Sequence, residues 1–174
     1  SQLVPLWLYQ RPTELTMPAK GLRALAGKFS RSPSQDIGVL HELMVEIADK
    51  VAYRTNETDS RTTAEDALQQ GQGVCQDHAH IFITVARLLG YPARYVSGYL
   101  MMTDRVDQDA GHAWAEAWVD GLGWTGFDVS NGISPDARYI QVATGLDYSD
   151  AAPIRGLVYG AGAENLVVSI QVQQ

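Results

Sequence analysis

Residues 71–79 read Gly71-Gln72-Gly73-Val74-Cys75-Gln76-Asp77-His78-Ala79 and contain the single cysteine of this 174-residue chain. An apolar run from Ala79 to Leu89 follows and covers several helical faces, which predicts a buried central helix that begins at Cys75. A thiol at a helix N-terminus meets the positive end of the helix dipole and unpaired backbone N–H groups, and both favour the reactive thiolate. The stretch therefore predicts both the centre of the fold and a reactive thiol.

Helices are predicted before this stretch and strands after it. Apolar residues between positions 35 and 52 recur at three- and four-residue steps, which predicts an amphipathic helix. Shorter helices are predicted from Ala19 to Phe29 and from Thr63, as a cap, to Gln70. This order predicts an α+β domain in which an antiparallel sheet packs on the central helix. The predicted strands are Tyr95–Met101, His112–Val119, Trp124–Val129, Tyr139–Val142, Leu157–Tyr159 and Leu166–Val172.

The segment Asp120-Gly121-Leu122-Gly123 predicts a hairpin turn between the second and third of these strands. Side chains alternate across a strand, so His112 and Trp114 share one face, and Asp128 lies on the matching face of the partner strand. The hairpin is therefore expected to bring His112 and Asp128 side by side.

Cys75, His112 and Asp128, in this order, are the parts of a nucleophile, a base and an orienting group. Taken alone, each has an ordinary alternative: a buried apolar cysteine, a packed strand histidine, and an aspartate that caps a turn. Together they predict a thiolate–imidazolium pair that attacks a carboxamide carbonyl and forms a thioester. The Cys75 backbone N–H is the expected oxyanion donor. The candidates for a second donor or a substrate contact are Gln69, Gln72, Tyr53 and Trp114.

His78 lies one helical turn after Cys75, a spacing that metal ligands use. A zinc site formed by these two residues with His112 and Asp128 is therefore an alternative. No Cys-x-x-Cys or His-Glu-x-x-His pattern accompanies it, and we therefore expect no metal and no cofactor. His80 is rotated away from Cys75 and is predicted to pack, and Glu116 is predicted to form a structural ion pair with Arg94. The tryptophans either line a slot for an acyl group or are core aromatics: Trp114, Trp118 and Trp124.

Composition limits the partners and the location of the chain. Twenty acidic and 13 basic residues give a net charge of −7, which argues against nucleic-acid binding and is compatible with positively charged protein or peptide partners without implying them. No apolar run is long enough for a membrane span. One cysteine forms no internal disulfide, so we expect a reducing, cytoplasmic location, and the start at Ser1 leaves room for a removed targeting segment.

Three prolines mark residues 1–18 as an extended lead-in to a main domain that spans residues 19–174. Within the lead-in, Leu3 to Tyr9 has strand-type residues but includes Pro5, so it is predicted to be at most an edge strand.

Several motifs together resemble the transglutaminase-like core domain, and more narrowly the bacterial transglutaminase-like proteins that are often described as candidate cysteine proteases. The resemblance runs from about residue 35 to the C-terminus. The motifs that carry it are Gly73-Val74-Cys75-Gln76-Asp77-His78-Ala79, Leu88-Leu89-Gly90-Tyr91-Pro92-Ala93-Arg94-Tyr95-Val96-Ser97-Gly98-Tyr99, His112-Ala113-Trp114-Ala115-Glu116, Gly123-Trp124-Thr125-Gly126-Phe127-Asp128 and the tail from Tyr139 to Gly156.

The resemblance implies a papain-like α+β fold, with Cys75 as nucleophile, His112 as base and Asp128 as orienting residue. It also implies that residues 1–18 are a remnant of a preceding region. No acidic cluster resembles the calcium sites of animal transglutaminases, so we expect no calcium requirement. Departures from the family pattern are His78 in place of an aromatic residue, Asp128-Val129-Ser130-Asn131 in place of Asp-Pro-Thr-Asn, and Leu146 in place of an arginine.

The expected activity is acyl transfer from amide bonds of peptides or proteins through a thioester. Hydrolysis by a protease or amidase is the first expectation and transglutamination to an amine is the second. A non-catalytic peptide-binding module that keeps the fold is the alternative of another class.

Overall fold

A computed structural model describes residues 4–32, 34–101, 107–108, 111–152 and 170–171. Helices dominate the first half of this part of the chain and strands the second, as predicted. The helices are α1 (Lys20–Ala26), α2 (Asp36–Lys50), α3 (Ala64–Gln70), α4 (Cys75–Leu88) and α5 (Tyr148–Ala151). The strands are β1 (Ala52–Tyr53), β2 (Gln72–Gly73), β3 (Ala93–Leu100), β4 (Asp107–Gln108), β5 (His112–Val119), β6 (Gly123–Phe127), β7 (Tyr139–Gly145) and β8 (Ile170–Gln171).

The helix ends follow local capping chemistry. The Thr63 side chain accepts the Asp66 N–H at 3.2 Å and opens α3, and Gly71 ends this helix with a φ of 67°, which glycine adopts without strain. At the start of α4 the Asp77 carboxylate accepts the Val74 N–H at 2.8 Å. The observed starts of α3 and α4 therefore lie within a few residues of the predicted starts.

A four-stranded antiparallel sheet, in the order β6-β5-β3-β7, forms the second half of the fold. Helix α4 packs on this sheet and is buried along nearly its whole length. The β5 side chains that face it are small, which lets the helix approach the strand closely. They are Ala113, Ala115 and Ala117, and they share the core with Ile81, Phe82, Val85, Tyr95 and Phe127. The predicted α+β arrangement around a buried central helix is confirmed.

The predicted edge strand from Leu3 to Tyr9 is wrong. Residues Leu6–Gln10 form a 3-10 helix instead, and the residue before it, Pro5, has its φ fixed at −69°. The predicted strand Leu157–Tyr159 lies outside the described residues, and of Leu166–Val172 only the two residues of β8 are described, paired with β4.

Residues 4–18 pack against the rest of the described chain. The Arg87 guanidinium of α4 donates to the Tyr9 carbonyl and to the Thr16 hydroxyl, both at 2.9 Å, and Thr16 is buried. The Leu15 carbonyl accepts the Ala64 N–H at 2.9 Å and Leu15 is buried as well. Within the described ranges, none of the helices has the length and apolar character that crossing a membrane requires.

Candidate active site

Two short paired strands, β1 and β2, fix the position of the chain just before Cys75, the first residue of α4. Strands β1 and β2 pair in parallel, with Tyr53 opposite Gly73, and the Arg54 N–H donates to the Gly73 carbonyl at 2.8 Å. A side chain at Gly73 would meet the Asp77 carboxylate at 2.7 Å, so only glycine fits beside this cap. Cys75 then occupies the first helical position, half-buried, where its own N–H has no acceptor within the helix.

His112 and Asp128 are brought together by the predicted hairpin. Strands β5 and β6 pair from Val119 opposite Gly123 to Ala115 opposite Phe127. His112 is the first residue of β5 and Asp128 follows the last residue of β6. Their side chains form a hydrogen bond of 2.6 Å between His112 Nε2 and Asp128 Oδ2. Because Nε2 is engaged by Asp128, Nδ1 is the imidazole nitrogen left for Cys75.

The charges of this group support an imidazolium at His112. Burial disfavours its charged form, but hydrogen bonds with Asp128 and Cys75 and the charges of both outweigh burial and raise the pKa of His112 to about 9. Burial likewise opposes ionisation of Asp128, yet the hydrogen bond and charge of His112, with help from Asn131 and Tyr139, hold the pKa of Asp128 below its usual value. At neutral pH the pair is therefore an imidazolium and a carboxylate.

Asn131 and Tyr139 also donate to Asp128, and the sequence reasoning missed both. The Asn131 amide and the Tyr139 hydroxyl each lie 2.7 Å from Oδ2, and the Asn131 N–H lies 3.3 Å from Oδ1. Asn131 belongs to the Asp128-Val129-Ser130-Asn131 motif, which was a signal that could have found it. Tyr139 lies in another strand, and no local pattern points to it.

The four candidates for a second oxyanion donor have different surroundings. Gln69 is exposed and donates to Glu65, the carboxylate that accepts N–H groups at the start of α1, so it faces α1. Gln72 donates to Glu57 at 3.2 Å.

Tyr53 and Trp114 are the two candidates that lie beside the reactive side chains. Tyr53 is half-exposed, and burial together with the negative charges of Cys75 and Asp128 raises the pKa of its phenol. Trp114 is buried, and its ring stacks on the His112 ring with the centroids 6.2 Å apart. Trp114 thus forms a wall of the site, and the Tyr53 phenol lies near enough for the charges of Cys75 and Asp128 to act on it.

His78 is fully engaged in structural contacts. It is buried, its Nε2 lies 2.8 Å from the Val51 carbonyl and its Nδ1 lies 2.9 Å from the Ser130 hydroxyl. Burial lowers the pKa of His78, so the ring is neutral, donates to Val51 and accepts from Ser130. In the part of the chain that the structure describes, no three His, Cys, Asp or Glu side chains are grouped to bind a metal.

His80 packs away from the site, as predicted. Its ring lies 5.1 Å from that of Tyr95, and its Nε2 accepts the Tyr148 N–H at 3.1 Å. Burial lowers the pKa of His80 to about 4.

The outer end of the hairpin is structural. Arg94 and Glu116 form the predicted ion pair, with 2.6 Å between Nη2 and Oε2, and the guanidinium lies 4.2 Å from the centre of the Trp124 ring. Trp124 packs edge-on against Trp118, which is six residues beyond His112 and so about 20 Å along β5. These two tryptophans therefore do not line a slot at Cys75.

Curated relatives cover most of this chain. An uncharacterised protein of Mycobacterium leprae is 38% identical over 128 residues, which is 71% of this chain and 45% of the relative. A protein of Mycobacterium tuberculosis is 38% identical over 146 residues, which is 78% of this chain and 46% of the relative. The chain spans about half the length of the curated relatives it matches.

Solved structures share the fold. A protein from Cytophaga hutchinsonii, described as a candidate cysteine protease, matches with a TM-score of 0.71 at 29% identity and covers 84% of this chain and 49% of that one. LapG of Legionella pneumophila matches with a TM-score of 0.55 at 13% identity and covers 83% of both chains. The transglutaminase-like superfamily model matches residues 23–129, more than half of the chain. The chain belongs to the transglutaminase-like superfamily.

Proposed function

We propose that this domain hydrolyses amide bonds of peptides or proteins through a thioester on Cys75. The observation that carries the proposal is the 2.6 Å hydrogen bond between His112 and the buried Asp128, next to a cysteine at a helix N-terminus. A nucleophile, a base and an orienting group in one hydrogen-bonded line are what acyl transfer from an amide requires.

In the first half of the reaction the Cys75 thiolate attacks the carbonyl carbon. The C–N bond breaks, and the His112 imidazolium gives its Nδ1 proton to the departing amine. Asp128 holds the imidazole through Nε2, so that Nδ1 faces both the sulfur and the amine. The Cys75 N–H, at the positive end of α4, stabilises the oxyanion, and Tyr53 is our choice among the four candidates for a second donor because the charges of Cys75 and Asp128 act on its phenol.

In the second half water replaces the amine. Neutral His112 takes a proton from water at Nδ1, the hydroxide attacks the thioester carbonyl, and the C–S bond breaks. The carboxylic acid leaves and the thiolate–imidazolium pair is restored. No metal or redox partner enters either step. A lone cysteine nucleophile favours a reducing compartment such as the cytoplasm.

Hydrolysis is favoured over amine transfer by the Cytophaga hutchinsonii protein, a solved neighbour at 29% identity, which is described as a candidate cysteine protease. The match covers less than half the length of the curated relatives, so the proposal concerns the chemistry of this domain.

Incubation with a peptide library, with and without a primary amine, tests the proposal. We expect cleaved or deamidated peptides whose yield does not require the amine, and no product from the Cys75→Ala variant. Amine-coupled products in place of hydrolysis would identify a transglutaminase. Absence of any Cys75-dependent product from folded protein would leave the binding-module alternative and contradict the proposal.

A further inference from the structure

One oxygen of Asp128 accepts three side-chain hydrogen bonds. Oδ2 lies 2.6 Å from His112 Nε2, 2.7 Å from the Asn131 amide nitrogen and 2.7 Å from the Tyr139 hydroxyl. Among the described residues, the other oxygen, Oδ1, accepts only the Asn131 N–H, at 3.3 Å. A carboxylate oxygen has two lone pairs, so the three donors on Oδ2 share its charge. The donors are thus concentrated on the very oxygen that holds His112.

Asn131 and Tyr139 reach this oxygen from two different parts of the fold. Asn131 lies in the turn that follows β6, whereas Tyr139 opens β7, which pairs with β3 and not with the hairpin. The Tyr139 ring is fixed edge-on against Trp114, with 5.3 Å between the ring centres, and lies 5.9 Å from the His112 ring. The hydroxyl is therefore carried by a strand outside the hairpin, while its ring packs on Trp114 of β5.

The Asn131 amide also stands beside the imidazole itself, with 3.5 Å between its nitrogen and His112 Nε2. The positive end of the Asn131 amide thus lies beside the imidazole ring, which carries a full positive charge only as the imidazolium. The contact therefore disfavours the charged form more than the neutral one, while the shared charge on Oδ2 weakens the attraction that stabilises it.

We propose that Asn131 and Tyr139 are positioning residues that fix the Asp128 carboxylate and draw part of its charge away from His112, so that His112 releases its proton readily to the leaving amine. The role rests on the proposed function, because it matters only if His112 is the general acid. A general acid that holds its proton too tightly transfers it slowly. With both donors present, the His112 pKa of about 9 already lies above neutrality, and further stabilisation of the imidazolium would slow the step.

Other titratable groups face the pair from the elements packed around it. Cys75 and His78 lie on α4 and Tyr53 lies at the end of β1, and the pKa values of His78 and Tyr53 both respond to the charge of Asp128. The substitutions below leave these groups in place, so a change at His112 reports on the donors to Asp128.

The test uses Tyr139→Phe and Asn131→Ala, which remove one donor each. The imidazole C–H signal of His112, assigned by its loss in His112→Gln, is followed by NMR as the pH rises. We expect each variant to raise the pKa of His112 by about half to one pH unit. We also expect kcat to fall roughly tenfold with little change in KM, and the basic limb of the kcat profile to move upward with the NMR value.

Tyr91→Phe is the matched control. The Tyr91 hydroxyl donates to the buried Asp36 carboxylate at 2.6 Å, so this variant loses the same kind of hydrogen bond remote from Cys75. It is expected to lose stability and to keep the His112 pKa and kcat.

An unchanged or lowered His112 pKa in both folded variants would overturn the inference, even if kcat falls. The titration needs no substrate, so its outcome is separate from that of the proposed function. If the wild type cleaves no amide while both variants raise the His112 pKa, the proposed function fails and the effect of the two donors on His112 stands.

Discussion

Substitution of Asp128 by asparagine tests how His112 is charged. Asn keeps the size of the side chain but removes the Asp128 charge, which acts against burial and together with the hydrogen bond and charge of Cys75 to raise the pKa of His112 from 6.5 to about 9. That difference corresponds to about 3 kcal/mol in favour of the imidazolium. In the variant, burial of His112 still opposes the charge and Cys75 still favours it, so we expect the His112 pKa to fall by about 1–2 pH units.

NMR titration of the His112 imidazole in Asp128→Asn measures this fall directly. The basic limb of the rate of Cys75 alkylation by iodoacetamide should move downward with it. The asparagine amide would face the Asn131 N–H, which now donates to Oδ1 at 3.3 Å, so a stability loss of about 1 kcal/mol is also expected. A His112 pKa that stays near 9 in the folded variant would refute the assignment of the charge to Asp128.

Three further predictions concern the frame of the site. The methyl group of Gly98→Ala would overlap the Ile140 carbonyl oxygen, so β3 and β7 must separate. The free energy of unfolding in urea should therefore fall by about 3 kcal/mol, and a fall below about 1 kcal/mol would contradict this packing. The folded-state pKa of His80, about 4, lies below its ordinary 6.5, so protonation favours the unfolded chain. Stability present above pH 6.5 should fall by up to about 3 kcal/mol towards pH 4, and His80→Gln should flatten this profile; a wild-type profile as flat as that of the variant would contradict the prediction. Glu116→Gln should cost about 1–2 kcal/mol in urea unfolding, since Arg94 loses its partner, with activity unchanged; lost activity at full stability would contradict the structural role of this pair.

The parts of the fold that depend on local pattern could be predicted from the sequence. The glycines and the apolar run around Cys75 were enough to place the start of α4, and the turn at residues 120–123 was enough to bring His112 to Asp128. Each of these follows from neighbours in the chain: helical periodicity, strand alternation and turn chemistry.

The rest depends on tertiary contacts that no local pattern carries. Tyr139 reaches Asp128 only because β7 pairs with β3, and His78 is engaged only because the Val51 carbonyl and the Ser130 hydroxyl meet it from opposite sides. The 3-10 helix at Leu6–Gln10 was missed because the strand-type residues there suggested extended chain, while Arg87 in fact holds the segment through the Tyr9 carbonyl.

The central claim is that Cys75 is a nucleophile activated by His112. The most direct measurement is the rate at which iodoacetamide alkylates Cys75 near pH 6, compared with N-acetylcysteine and with the His112→Gln variant. The account predicts that Cys75 reacts faster than the free thiol and that the variant loses this advantage. A wild-type rate no higher than that of N-acetylcysteine would contradict the thiolate–imidazolium pair on which the proposed function rests.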